Sequence, residues 1–100
     1  MPAKSSIGAS AVSLTGGTLT LAPRGVQLKA DDDNSGSLYV GYANTVTAGS
    51  VDATDGVRLK AGQSYFIPPE KISTAAGGPN AANIWLIASA TGQKVWYDVI

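Results

Sequence analysis

The nearest approach to a ligand motif in this chain is Asp31-x-Asp33-x-Ser35-Gly36. It matches the first half of a calcium loop, in which oxygens at alternate positions wrap a hard cation and glycine permits the sharp turn. The second half fails, because Tyr42 stands where a bidentate carboxylate should close the site. The segment therefore reads as a polar turn whose three adjacent Asp side chains repel one another through water. Nucleophilic catalysis needs a base beside Ser or Thr, and the chain has no histidine and no cysteine. Lys4-Ser5-Ser6 and Lys71-Ile72-Ser73 bring lysine and hydroxyl together in sequence, but adjacent residues of extended chain point apart. Glycosidic cleavage requires two carboxylates held across a sugar. Glu70 is the only glutamate, and Asp52, Asp55 and Asp98 accompany it at no informative spacing. Gly77-Gly78-Pro79-Asn80 lacks the lysine and the strand-to-helix setting of a phosphate-binding loop and reads as a turn. The expectation is a protein that is not an enzyme, with no catalytic, cofactor or metal residues.

Composition agrees with that expectation. The formal charge is zero and 14% of the residues are charged, with Lys and Arg scattered singly, so no field gathers phosphates and nucleic acid is not expected as a partner. Without cysteine there is neither a disulfide framework nor a thiolate metal site. Residues 1 to 10 are small and polar, unlike a secretory signal, and the longest apolar run, Ile84 to Ala88, is strand-sized. A soluble product made in the cytoplasm, with no membrane partner, is expected. One hundred residues make one domain that buries roughly two thirds of its unfolded surface. Self-association or a docked partner would help to offset the ordering cost.

The elements that must position these residues are short strands. Val12 and Leu14 alternate with Ser13 and Thr15, Gly16-Gly17 supplies a bend, and Thr18 to Leu21 alternates again. Val26-Gln27-Leu28-Lys29-Ala30 presents an apolar and a polar face, and Asp31 to Gly36 turns the chain into Ser37 to Tyr42 as a hairpin. Residues 43 to 55 form a long loop with an edge strand at Thr45 to Thr47. Val57 to Lys60 turns at Ala61-Gly62 into Ser64 to Ile67, which Pro68-Pro69 stops because proline cannot donate to a ladder. Residues 70 to 82 form a second long loop with Ile72 as its anchor. Asn83 to Ala90 and Lys94 to Ile100 form the last hairpin, and no window has the spacing of an ordinary helix. An all-β fold follows, an antiparallel β-sandwich or small jelly-roll-like barrel over residues 11–100, preceded by a flexible N-terminal arm over 1–10.

At the last turn, threonine tolerates positive φ badly, so a type I turn through Ala90-Thr91 with Gly92 left-handed is favoured. The resulting hairpin register places Ile87 near Val95 and Trp85 near Tyr97 on one face, and Ile84 and Leu86 near Trp96 on the other. The strand at 84 to 88 is apolar on both faces and must be covered twice. Either the loop of 70 to 82 or another subunit covers it, or Trp85 or Trp96 forms a carbohydrate platform.

Arg24-Gly25-Val26 to Ala30, Gly36 to Gly41, Gly56 to Ser64 and Ile84 to Val95 together form a progression of strands and turns that resembles small β-sandwich virion proteins of tailed bacteriophages, over roughly residues 24 to 99. The resemblance implies a capsid decoration or cement protein on the virion exterior that binds the major capsid protein. It also implies a homo-oligomer, with a trimer favoured. On that reading residues 1 to 10 are a capsid-binding arm anchored by Ile7, residues 70 to 82 a lattice- or subunit-facing loop, and Ile7, Ile72, Trp85 and Trp96 the partner contacts. The alternative is a tail- or fibre-associated module that holds a host-surface glycan or receptor on Trp and Tyr.

Overall fold

The computed structural model describes residues 3–49, 56–74 and 78–100. Two four-stranded antiparallel sheets carry the fold. From edge to edge, the first contains β1 (Ala3–Ile7), β10 (Gln93–Val99), β3 (Val26–Ala30) and β6 (Ser64–Ile67). The second contains β2 (Val12–Ser13), β9 (Trp85–Ala88), β4 (Leu38–Gly41) and β5 (Val57–Leu59). The connection from β6 to β9 carries two short 3₁₀ turns, Pro69–Lys71 and Ala81–Asn83, and a ribbon of β7 (Ser73–Thr74) with β8 (Gly78–Pro79). The expected all-β sandwich is the observed one.

Strand order makes the architecture specific. Position by position across the two sheets, β1 matches β2, β10 matches β9, β3 matches β4 and β6 matches β5, so each strand is matched by its neighbour along the chain. This is the order of a double-sheet jelly roll. Period-two patterning supplies the facing surfaces: Val26, Leu28 and Ala30 of β3 are fully buried while Gln27 and Lys29 are half-exposed. Leu38 and Val40, Leu86 and Ala88, Ile67 and Val95 belong to the same core. Apolar burial of this kind contributes about 1.5–3 kcal/mol for each large side chain.

The expected hairpins at Asp31 to Gly36, at Ala61-Gly62 and at Ser89 to Gly92 are corrected by this order. The strands on either side of each corner lie in different sheets: β3 and β4, β5 and β6, β9 and β10. Gly92 is left-handed as expected, with φ 75°, but its turn carries the chain across the sandwich. A hairpin would set two apolar rows side by side on one face that still needed cover, whereas a crossing sets them face to face. The expected neighbours around Trp85 and Trp96 are corrected with it. Trp85 stands opposite Gly41 and Ser13 in the second sheet, and Trp96 opposite Ala3 and Lys29 in the first. The two indoles therefore lie on opposite sheets of the sandwich.

Two segments differ from expectation near the amino terminus. Ala3–Ile7, expected within a flexible arm, is an edge strand paired with β10, and Ile7 is fully buried. One extra residue between Lys4 and Ile7 makes a bulge in which Ser6 has φ 59°. The bulge re-aims Ile7 to the core side, opposite Gln93. Thr18 to Leu21 is not a strand and makes a single bridge, Leu21 to Asn80.

Two substitutions test this backbone by urea unfolding. Gly25 has φ 97°, and a Cβ there would lie 2.4 Å from the Ile67 carbonyl oxygen. Gly25→Ala is expected to cost at least about 2 kcal/mol. Ser6→Gly is expected to add about 1 kcal/mol by relieving the left-handed strain, and a loss of stability would count against the bulge.

Candidate functional site

The crossings from β1 to β2, β3 to β4, β5 to β6 and β9 to β10 gather at one end of the sandwich, where side chains sew the β3–β4 crossing to the β9–β10 corner. Between strands of different sheets no ladder satisfies the backbone, so something else must. Gln93 is buried; its Oε1 accepts from the Gly36 N–H at 2.9 Å, and its Nε2 donates to Ser35 Oγ and to the Thr91 carbonyl at 3.1 and 2.7 Å. Asn34 imitates a strand partner for Lys94, accepting from its N–H at 2.9 Å and donating to its carbonyl at 2.8 Å. Ser89 Oγ accepts from the Ser37 N–H at 3.0 Å. Gly36 fits because a Cβ there would lie 2.8 Å from Ser89 Oγ.

Beside this clasp lies the only charged cluster around an aromatic ring among the described residues. The Trp96 indole N–H donates to Asp31 Oδ1 at 2.9 Å, and the Lys94 ammonium sits 4.3 Å from the ring centre. The indole bond, first among the causes, holds the Asp31 carboxyl below its ordinary 3.8; the Asp33 and Asp32 amides and the Lys94 charge act in the same direction, and burial opposes them. Asp32 approaches Lys29 at 3.9 Å, with the Lys29 side chain half-exposed and that of Asp32 largely exposed, a contact that contributes little. Asp31 and Asp32 thus turn to separate partners, which does not suit a calcium cage. Trp96 is already engaged at its N–H and over its ring, so its geometry is that of a structural indole.

The described parts of the long connections, residues 14–25, 42–49, 68–74 and 78–84, gather at the opposite end. Here the segment around Leu21 is pinned to the β8 region: the Thr20 N–H donates to Asn80 Oδ1 at 3.0 Å, the Ala81 N–H to the Thr20 carbonyl at 2.8 Å, and the Ala22 N–H to the Pro79 carbonyl at 3.0 Å. Asn80 also accepts from the Ala82 N–H at 3.0 Å, capping the second 3₁₀ turn. This fixed backbone holds Leu19 and Leu21 65% and 59% exposed, the two most exposed large apolar side chains among the described residues. Leucines presented this way on an anchored segment form a ready contact point.

The expected contact residues fare differently. Ile7 and Ile72 are 0% and 1% exposed: both pack into the chain's own core, which corrects the expectation that they meet a partner. Trp85 and Trp96 are half-buried on their separate sheets. Beside Trp85 in the ladder, the slot left by Gly41 is filled by Val46, whose Cγ2 would lie 2.6 Å from a Cβ there. Ile72, Ala81 and Ala82, from the loop expected to face a lattice, are buried, and residues 75–77 of that loop lie outside the described residues. Asp52 and Asp55 also lie outside them. The Ser73 hydroxyl donates to the Pro69 carbonyl at 2.8 Å, a local turn bond. Leu19 and Leu21 were hidden to pattern reading because their alternation with threonine imitates a half-buried strand.

Comparison with protein-family models, with curated proteins and with solved structures finds no match to this chain.

Replacing Gln93 by Leu leaves the Gly36 N–H and Ser35 without their partner and is expected to lower stability by about 2 kcal/mol in thermal or urea unfolding. Asp31 adds a pH dependence. A carboxyl held low in the folded state contributes stability that is present above the unfolded value near 3.8 and is lost as pH falls through its lower folded value. The indole N–H resonance of Trp96 should shift in that acid window, and Asp31→Asn should abolish the titration.

Proposed function

We propose that this chain is a structural virion protein of a tailed phage, a capsid decoration or cement protein that docks by shape without catalysis. In this reading it is made in the host cytoplasm and resides on the capsid exterior, bound to the major capsid protein. The observation that carries the reading is the Leu19–Leu21 ridge, held out by a segment whose backbone is hydrogen-bonded to Asn80, Ala81 and Pro79. Each leucine gains about 1.5–3 kcal/mol when covered, with little ordering cost because the segment is already fixed. A contact of this size is weak alone, but many copies on one lattice act together. The jelly-roll order supports the reading by analogy of architecture, since viral capsid and lectin domains use it.

The docking end in this proposal is the long-loop end, and the sewn end faces away. Cosedimentation of the purified protein with capsids of the phage that encodes it tests both parts. The double substitution Leu19→Ser, Leu21→Ser should weaken attachment at least about tenfold while the melting temperature stays within a few degrees of the parent. Undiminished attachment would remove the leucines from the contact, and absence of attachment by the parent chain would remove the cement reading.

A further inference from the structure

From the free edge of β6 we infer that a second copy of this chain docks there, strand against strand about a two-fold axis, to join two first sheets into one. The inference does not depend on the virion reading. The Ala30 N–H donates to the Gln63 carbonyl at 2.9 Å, and the ladder continues through Leu28–Tyr65 and Val26–Ile67. Hydrogen bonding alternates along an antiparallel strand. The N–H and C=O groups of Ser64 and Phe66 therefore face away from β3, toward the side where no strand lies among the described residues.

These groups are self-complementary in one register. With the axis at Tyr65, Ser64 of one copy meets Phe66 of the other in a hydrogen-bonded pair, and symmetry repeats the pair, which gives two donors and two acceptors from each copy. Shifting the axis to Phe66 would call on Pro68, which has no N–H. Shifting it to Ser64 would call on Gly62, which is in the left-handed turn at φ 81°. The proline pair and the glycine turn thus bracket the edge and fix its register. Across the seam, a small side chain faces a large one at each Ser64–Phe66 pair, and the two Tyr65 rings meet on the inner side.

Three further observations favour a second copy as the occupant. β6 carries no charged residue and the chain has zero formal charge, so like meets like without repulsion. Phe66 is 44% exposed and Val57, on the matching edge strand of the second sheet, 43%, so apolar surface lies along this flank of the sandwich. The other edges are blunted in the manner of protected edges: β1 by its bulge at Ser6, β2 by having two residues, and β5 by having three with Arg58 exposed at their centre. β6 has neither bulge nor charge.

Light scattering and sedimentation of the full chain over a wide concentration range test the pairing. The mass should rise from 10.1 kDa toward twice that value. Phe66→Pro removes an outward N–H without touching the ladder to β3, and edge strands tolerate proline. It should weaken association at least about tenfold. Phe66→Lys places a charge at the seam with no backbone change and should do the same. Circular dichroism and thermal melting identify which variants remain folded, and at least one folded variant that is monomeric where the parent is paired supports the inference. A parent that stays monomeric throughout, a pair that persists in both folded variants, or a trimer of three times the chain mass would each overturn it.

Discussion

The sandwich depends on its corners being satisfied. A chain that crosses between sheets at nearly every corner leaves backbone groups where no ladder reaches, and a buried orphan N–H or C=O costs about 1–3 kcal/mol. Asn34 and Gln93 meet this need, one as a side-chain imitation of a strand and the other as a three-way clasp inside the end of the molecule. The buried polar side chains leave no unpaired nitrogen or oxygen among the described residues. Because both clasps tie the β3–β4 crossing to the start of β10, and Gln93 also holds Thr91, that crossing and the β9–β10 corner hold one another.

Placement of the aromatic residues follows from the same crossings. Sending β9 and β10 to different sheets puts Trp85 and Trp96 on different surfaces and gives each its own neighbours: Gly41 with the overlying Val46 for one, Asp31 and Lys94 for the other. At the flank of the molecule, burial and a hydrogen bond to the Tyr65 hydroxyl push the Tyr42 phenol up to about 12. That pair links the chain just beyond β4 in the second sheet to β6 in the first.

The two ends differ for a topological reason. Short crossings lie at one end and leave little chain to project, while the described parts of the three long connections lie at the other. Exposed leucines are therefore found where chain is available to carry them, and Asn80 keeps that chain from relaxing onto the core. The outer edge of β6, unpaired among the described residues, runs along the side between the ends, so it and the exposed leucines occupy separate surfaces.

Local pattern determined a good deal. Val26–Ala30 alternates so clearly that its bounds are legible residue by residue, Pro68-Pro69 marks the stop of Ser64–Ile67, and Gly92 takes the left-handed conformation that Thr91 would resist. These features depend on a residue's own φ, its missing N–H or its two faces. Which strand pairs with which was decided only in the tertiary structure. The same left-handed corner serves a hairpin or a crossing, and the choice falls to the distant surface that buries each apolar row. Ile7 and Leu19 show both sides of that rule: an isoleucine in a polar arm becomes core through one bulge opposite Gln93, and a leucine in a strand-like run stays in solvent because Asn80 holds its backbone away from any sheet.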